Sequence, residues 1–286
     1  MSGSPADSGR LEVRAVFPVR GKTRLSVTGA DARRYLNGQL TIDVGRLRPG
    51  VARPALLLTA KGKLCAPLQV WTDGGHFVIE TEASLLDECQ ARLERYIISD
   101  DVTVSGLPEG PPCFHVLGPT PPQGALQISR LGIPGFDTAE KPAETPELSD
   151  EAIELLRILM GTPAWGAELT ADTLPQEALL ERTAVDFDKG CYVGQEVVSR
   201  LKSVGRVNRI LRGFSGRLSA SAQPVTLLTN EPVPRPAGTI TSTAWDFELA
   251  QTLALGYLNR QFDESPRFLA ADAAGAVVGE LDKRPI

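Results

Sequence analysis

Short stretches in which apolar and polar residues alternate with a period of two run along much of the chain, a pattern typical of strands with one buried face. In the first half, glycine and aspartate turns separate these stretches, which predict strands at residues 11–19, 25–28, 54–59, 64–71, 76–81 and 101–104. Later in the chain, turns are predicted at Gly205, Gly213 and Gly216, and strands at residues 239–242, 250–258 and 267–278. Many short strands with almost no helix predict a small C-terminal β-barrel.

Three other stretches have the spacing of amphipathic helices. The clearest covers residues 84–97, with Ser84 as its N-cap and Cys89 on its apolar face, so we expect Cys89 in the core. Shorter helices are predicted at residues 31–36 and 149–160. Because strands flank a helix before a further strand, the first half indicates a split α/β unit with a ferredoxin-like layer.

Length and composition narrow the class of protein. The 286 residues allow two or three domains, and proline- and glycine-rich zones at 106–124 and 132–146 are interpreted as long connections. Hydrophobic residues make up 42% and charged residues 23%, the balance of a soluble globular protein. No apolar run approaches membrane-spanning length, and the first ten residues lack the apolar centre of a secretory signal. We therefore expect a cytoplasmic, monomeric protein.

The cysteines and histidines do not form a recognisable metal site. The four cysteines are widely spaced and include no Cys-x-x-Cys pair: Cys65, Cys89, Cys113 and Cys191. This spacing argues against a disulfide framework, a zinc site or an iron–sulfur cluster held by this chain alone. Nothing near His76 or His115 supports a catalytic triad, so we expect structural roles for both.

Basic residues cluster in one part of an otherwise acidic protein. The net charge is −5, which disfavours nonspecific nucleic-acid binding by the whole surface. Between Glu196 and Glu231, however, there is no acidic residue, and the basic residues are Arg200, Lys202, Arg206, Arg209, Arg212 and Arg217. Such a run is usually a solvated strand face, but it could also bind an anionic tail or a phosphate.

The most distinctive segment surrounds Cys191, which follows Gly190 and lies near Lys189. Gly190 and Gly194 permit positive φ and close backbone approach. From Gln195 the sequence is compatible with a helix or a strand, because adjacent valines tolerate both. If a helix begins there, its positive end and Lys189 would both favour the thiolate form of Cys191. The alternative is that Cys191 is a small buried hydrophobe, a common role for free cysteine.

The sequence Lys-Gly-Cys-Tyr-x-Gly-Gln-Glu at residues 189–196 resembles the motif of the YgfZ family, bacterial relatives of the mitochondrial iron–sulfur assembly factors. That family shares the fold of the glycine-cleavage T-protein. Further segments also resemble the family's sequence, namely residues 31–44, 60–64, 157–169 and 174–178. The resemblance therefore extends over most of the chain, and the cysteine motif is its most specific part.

The resemblance implies a three-part ring around a central hole that holds folate. Residues 1–48 with 147–204 would form the part that carries the cysteine motif, residues 49–146 a ferredoxin-like part, and residues 205–286 the barrel. Cys191 is expected to face this pterin-sized hole. The candidate cations for the glutamate tail of folate are Lys61, Lys63, Lys189, Arg200 and Arg206.

By the same resemblance, the chain is a folate-binding accessory factor for the assembly or repair of iron–sulfur enzymes, including radical enzymes that modify tRNA. Cys191 would be the reactive group, as a redox thiolate or a transient cluster ligand, with outside ligands completing any cluster. Lys189 would tune the thiol. The residues that would shape or hold the turn are Gly190, Tyr192, Gly194, Gln195 and Glu196.

Four positions differ from what the relatives carry. Ala66 and Pro67 stand where the T-protein family has an Asp-Asp pair, and Leu159 stands where it has a glutamate that contacts the pterin. Without these acids, the acid–base chemistry of glycine cleavage is not expected. Ile42 replaces an asparagine usual in the YgfZ family, so we expect no ligand contact through that side chain.

Two alternative functions remain open at this level. One is a folate-dependent one-carbon transferase that acts on methylamine-type groups, against which the missing carboxylates count. The other is an RNA-binding module that contacts tRNA through the basic stretch 200–217, which salt-dependent binding would separate from attraction by charge alone.

Overall fold

The computed structural model describes residues 14–108, 110, 113–118, 121–203, 205–219 and 225–286. In this part the chain forms a five-stranded sheet, a four-stranded sheet and a closed barrel, together with α-helices, so the predicted α+β class is confirmed. The first predicted strand, 11–19, lies partly outside the described residues, which begin at Arg14. Among the helices described, none is long and apolar enough to cross a membrane.

The strands of the two sheets are, in chain order, β1 (Ala15–Pro18), β2 (Lys22–Thr28), β3 (Arg53–Leu58), β4 (Leu64–Thr72), β5 (Phe77–Glu82), β6 (Thr103–Gly106), β7 (Phe114–Leu117), β8 (Leu126–Gln127) and β9 (Gly135–Thr138). One antiparallel sheet has the order β3-β4-β5-β2-β6, and the other has the order β1-β7-β9-β8. The α-helices are α1 (Ala32–Gln39), α2 (Leu86–Glu94), α3 (Asp150–Leu159) and α4 (Gln195–Ser203). The α4 helix settles the choice that the sequence left open after Gln195.

Helices α1 and α2 share one apolar core with the five-stranded sheet, where Leu36, Ile79 and Leu93 are fully buried. Cys89 is also fully buried there, as predicted. Because β2 lies between β5 and β6, this core joins residues of the first predicted domain, 1–48, to residues of the second, 49–146. The division of the chain into domains itself stays a prediction.

Two local predictions in this half are wrong. Ser84 is not the N-cap of α2, because a 3₁₀ turn (Ala83–Leu85) follows β5 directly and the helix begins one turn later. The zones interpreted as long connections contain β7 and β9, which pair with each other, and β8 lies between the two zones and pairs with β9 in the same four-stranded sheet. These strands have two to four residues each, too few for the alternation of apolar and polar positions to reveal them.

The C-terminal part is a closed antiparallel barrel, as predicted. Its strands are β10 (Arg209–Leu218), β11 (Val225–Thr229), β12 (Pro236–Asp246), β13 (Gln251–Asn259), β14 (Arg267–Ala271) and β15 (Val277–Arg284). They close in the order β10-β13-β12-β11-β14-β15 around an apolar interior in which Phe214 and Phe268 meet edge to face. The single strand predicted at 267–278 is therefore two strands, β14 and the start of β15.

The turns predicted at Gly213 and Gly216 are also wrong, because both glycines lie inside β10. A Cβ at residue 213 would lie 2.6 Å from the Cγ2 of Ile286, and one at residue 216 would overlap the carbonyl oxygen of Glu280. Glycine at these positions permits close packing in the barrel rather than a change of chain direction.

Glu168 connects the barrel to α3 and the loop that follows it. Its fully buried carboxylate accepts hydrogen bonds from Arg157 Nη1 at 2.9 Å and from the backbone N–H of Ala164 at 2.9 Å. It also accepts from Thr241 Oγ1 at 2.7 Å and Ser242 Oγ at 2.6 Å, both on β12. A buried carboxylate with four donors is fully satisfied, so this group fixes α3 against the barrel.

Candidate functional site

Cys191 lies in an exposed loop directly before α4, and it is the one exposed cysteine of the four in the sequence. Cys65 and Cys89 are buried in the core of the five-stranded sheet, and Cys113 is half-buried. Burial raises the pKa of Cys89 to about 12 and that of Cys113 to about 11, so both stay protonated near neutral pH. The possibility that Cys191 is a buried hydrophobe is therefore excluded.

The turn before α4 depends on Gly194, but not on Gly190. Gly194 has a φ of +88°, and a Cβ there would lie 2.6 Å from the carbonyl oxygen of Thr59. The turn at residues 59–62, which resembled a family segment in the sequence, therefore packs directly against the start of α4. Gly190 has no positive φ, and a Cβ there would meet no atom within 4 Å, so the expected conformational need for glycine at 190 is absent.

Lys189 anchors this loop to the end of α1. Its side chain is 91% buried, and Nζ donates to the carbonyl oxygens of Asn37 at 2.5 Å and Leu40 at 2.8 Å. A cation at the C-terminal end of a helix meets carbonyls that lack helical partners. Burial lowers the pKa of Lys189 to about 8, although nearby Asp43 opposes this. The ammonium group thus binds the backbone, whereas its tuning of Cys191 stays a prediction.

Further hydrogen bonds hold the segment before Cys191 against residues 41–53. Arg53 makes a bidentate ion pair with Asp186, at 2.8 and 3.0 Å, and Asp186 also accepts from the backbone N–H of Asp43 at 2.8 Å. Burial alone would raise the pKa of Asp186, but these partners lower it. At the exposed edge, Arg46 makes a second bidentate pair, with Asp188. Two segments far apart in the chain therefore form one platform under Cys191.

The other motif residues differ in what they contact. Gln195 Oε1 accepts from the backbone N–H of Tyr192 at 3.3 Å, which stabilises the turn. The Tyr192 ring is buried in the core beside α4 and lies 4.9 Å from Lys189 Nζ. Glu196 is exposed in the first turn of α4, where its charge suits the helix dipole. Ile42 is fully buried in the core of the five-stranded sheet.

A cavity of about 400 Å³ lies between the two sheets, α3 and the loop after it, and we call it the sheet cavity. Pro67 lines this cavity, as do Glu80, Arg130, Arg157 and Trp165. Ala66, the neighbour of Pro67, is fully buried in the core, and Leu159 is 44% exposed at the end of α3. None of these three residues can supply the acid that a T-protein has at the corresponding place.

Glu80 and Arg130 are the polar residues of the sheet cavity that the sequence interpretation missed. Arg130 Nη1 donates to Glu80 at 2.7 Å, and its other nitrogens reach Asp137, which in turn pairs with the fully buried His115 at 2.8 Å. Burial alone would raise the pKa of Asp137, but His115 and Arg130 lower it to about 2. An acidic residue directly after the apolar residues Phe77, Val78 and Ile79 in one predicted strand was the available signal for Glu80.

The structure does not bring Cys191 and the predicted cations together around this cavity. Cys191 lines none of the five principal cavities in the described part of the chain, and its position facing a pterin-sized hole stays a prediction. Lys61 and Arg200 are exposed, and Lys63 pairs with Asp172 at 2.6 Å. These three do not line the sheet cavity, and Arg206 lines a second cavity beside α4.

The fold defines the class of protein. The structure aligns with the crystal structure of the glycine cleavage system aminomethyltransferase T from Bartonella henselae with a TM-score of 0.78, over 95% of this chain and 85% of that chain. The two sequences are 16% identical, so this likeness establishes the fold alone. The chain therefore has the T-protein fold.

Sequence comparison shows which proteins of this fold the chain resembles. The chain is 27% identical to the tRNA-modifying protein YgfZ of Escherichia coli over 288 residues, which cover 88% of this chain and 87% of that protein. It is 30% identical to the mitochondrial iron–sulfur cluster assembly factor IBA57 homolog of Chaetomium globosum over 232 residues, 65% of this chain and 52% of that protein. No protein-family model matches the chain. The resemblance to the YgfZ and IBA57 family is thus confirmed over most of the sequence.

Proposed function

We propose that this protein is a folate-binding accessory factor for the assembly or repair of iron–sulfur enzymes, including enzymes that modify tRNA, and that it acts through Cys191. The observation that carries the proposal is the exposure of Cys191 on a loop held by the partly buried Arg53–Asp186 ion pair and by the hydrogen bonds of Lys189 to backbone carbonyls. An exposed thiol in a fixed loop is accessible to another protein, to a cluster or to a small thiol. The relatives in Escherichia coli and Chaetomium globosum, a tRNA-modifying protein and an iron–sulfur cluster assembly factor, suggest the tRNA and iron–sulfur contexts.

The same exposure suits a transient cluster ligand better than a resident one. Among the described residues, no group of three or more histidine, cysteine or acidic side chains is placed to hold a metal ion. A cluster bound at Cys191 would therefore take its remaining ligands from a partner enzyme or from small thiols. Lys189, Gly194, Tyr192 and Gln195 would keep the loop in place during such an exchange.

Folate fits the sheet cavity on chemical grounds. Gln69 lines this cavity, and its buried Oε1 has no hydrogen-bond partner, so an N–H donor of a pterin would satisfy it. Lys22 and Arg20 line the same cavity, where they pair with Glu82 and Asp150, and the glutamate carboxylates of folate would take the place of these partners. Bound tetrahydrofolate would supply one-carbon or reducing chemistry. In this arrangement, the cations first proposed for folate would not contact it inside the cavity, because the lining residues do not include Lys61, Lys63, Arg200 or Arg206.

The alternative of a one-carbon transferase is less well supported by the residues present. Glu80 is the buried carboxylate of the sheet cavity, and both of its oxygens already accept hydrogen bonds from Arg130, with Arg24 as a further donor. A carboxylate engaged in this way is poorly placed to take a proton from a substrate. We therefore keep the accessory function as the conclusion, and a cytoplasmic location stays a prediction.

Complementation in a strain that lacks the protein tests the proposal. Wild type, Cys191→Ser and Cys113→Ser would be expressed at matched levels, and the activities of iron–sulfur enzymes would be measured with and without oxygen. We expect wild type and Cys113→Ser to restore the activities, and Cys191→Ser to fail. Full rescue by Cys191→Ser would refute the role of the thiol. Separately, loss of tetrahydrofolate binding in Gln69→Leu, measured by calorimetry, tests the cavity.

A further inference from the structure

A second cavity, of about 690 Å³, lies between residues 176–187, helix α4 and the start of β10, and we call it the α4 cavity. Its apolar wall is formed by Leu179, Leu201, Val207 and Ile210. It shares no lining residue with the sheet cavity. A site there would be separate from the one proposed for folate.

Four cations surround the α4 cavity, namely Arg182, Lys202, Arg206 and Arg260. All four are exposed, and none has an ion-pair partner within the described ranges. By contrast, Arg209 and Arg212 of the same basic run pair with Glu177 and Asp263. The basic run identified in the sequence is therefore split in the structure. Two of its arginines are neutralised by ion pairs, whereas Lys202 and Arg206 line one cavity together with Arg182 and Arg260.

Two hydrogen-bond acceptors in the wall of this cavity have no partner. They are Gln176 Oε1 and Glu181 Oε2, and both atoms are buried. The Gln176 Nε2 group already donates to the carbonyl oxygen of Val198 at 2.9 Å, which fixes the orientation of the amide. Burial raises the pKa of Glu181, although a backbone hydrogen bond at Glu181 and the nearby charge of Arg182 oppose this. Buried acceptors of this kind call for N–H or O–H donors from a ligand.

We propose that the α4 cavity binds a phosphorylated nucleoside. The N–H groups on the edge of the base would donate to Gln176 and Glu181, the base would pack against the apolar wall, and the phosphates would meet the four cations. A phosphate group concentrates nearly two negative charges, and guanidinium groups bind its oxygens in pairs. Four cations around one cavity match phosphates better than the single charges of a carboxylate tail. Free nucleotides and single nucleotides of an RNA strand share this chemistry.

Calorimetric titration of the full chain with guanosine triphosphate, guanosine and pyrophosphate tests the site. We expect the triphosphate to bind more tightly than either fragment. Arg206→Ala and Arg182→Ala should each weaken both the triphosphate and pyrophosphate about tenfold, because each removes a charge-assisted contact. Glu181→Gln should weaken the triphosphate but not pyrophosphate, because it changes only the group that meets the base.

Arg217→Ala is the matched control, because Arg217 is an exposed arginine of the same basic run that lines none of the principal cavities. It should change affinity less than twofold. A short single-stranded RNA then shows whether the natural ligand is a free nucleotide or part of an RNA strand. If the RNA displaces the triphosphate at a lower concentration than free nucleotide does, the ligand is a strand, and if the RNA does not displace it, the ligand is a free nucleotide. Equal losses in Arg217→Ala and Arg206→Ala would overturn the proposal. So would equal affinities for pyrophosphate and the triphosphate, or binding of polyglutamyl folate alone.

Discussion

Gly194 lies directly against Gly62, such that a Cβ on residue 194 would be 3.2 Å from the Cα of Gly62. Both glycines have positive φ, and a Cβ on residue 62 would in turn lie 2.9 Å from the Cβ of Val197. Two tight turns from separate parts of the chain therefore interlock at the start of α4. The position of the Cys191 loop depends on this contact.

Replacement of Gly194 by alanine should destabilise the protein, whereas replacement of Gly190 should not. Gly194→Ala combines an unfavourable φ with an overlap with Thr59, which together should cost at least about 2 kcal/mol in the free energy of unfolding. Gly190→Ala meets open space without positive φ and should change it by less than about 0.5 kcal/mol. Urea unfolding of both variants provides the measurement, and similar losses would contradict the assignment.

The burial of Lys189 predicts a pH-dependent stability. Its pKa is about 8 in the folded protein and 10.5 at its ordinary value, so between these pH values the unfolded chain binds more protons. The free energy of unfolding should therefore rise with pH through this interval, by up to about 3 kcal/mol relative to Lys189→Met. The neutral amine still has two N–H groups for Asn37 and Leu40.

Urea unfolding of wild type and Lys189→Met at several pH values between 7 and 10 isolates this contribution, since other titrating groups are common to both proteins. A difference in stability that stays flat or falls with pH would show that Lys189 remains protonated throughout.

Thiol labelling should distinguish Cys191 from the other cysteines. In the native protein, a disulfide reagent at pH 7.5 should modify one thiol per chain rapidly, because Cys191 alone among the four is exposed. Cys191→Ser should abolish this fast phase, and Cys113→Ser should leave it intact. A fast phase that survives in Cys191→Ser would mean that Cys113 is more accessible than the structure shows.

Glu168 and Glu154 both pair with Arg157, but only Glu168 should be important for stability. Glu168 is fully buried with four donors, so Glu168→Gln would set an amide N–H₂ against at least one of them, at a cost of about 3 kcal/mol. Glu154 is 43% exposed, and Glu154→Gln should cost less than about 1 kcal/mol. Thermal unfolding of the two variants makes the comparison, and equal shifts in Tm would rule out the proposed link between α3 and the barrel.

The sequence predicted the elements with clear periodicity, and it failed where a residue acts through a distant partner. The strands of the five-stranded sheet and those of the barrel after residue 236 follow from alternation, and α2 follows from its apolar spacing. Gly213 was misread as a turn because the Ile286 side chain that it accommodates lies elsewhere in the sequence. From the sequence, Lys189 was assigned only the role of tuning the nearby Cys191 thiol. The local sequence could not show that its ammonium group also binds the end of α1.

Prediction from the sequence was limited in the same way at the candidate site. The motif around Cys191 identified the exposed thiol, but not where the cavities lie. Glu80 and Arg130 come together only when β5 and the loop before β9 pack around the sheet cavity. The α4 cavity likewise unites Arg182 and Arg260, which no local pattern connects.

The platform under Cys191 also has a consequence for the order of events during synthesis. Thr41 donates through Oγ1 to the carbonyl oxygen of Ala184, a partner 143 residues later in the chain. A ribosome therefore completes residues 37–53 long before their partners emerge, and the intervening chain must be closed into a loop first. Cys191 itself is made after Ala184, so an ordered loop at Cys191 would report that these two distant segments of the chain have already joined.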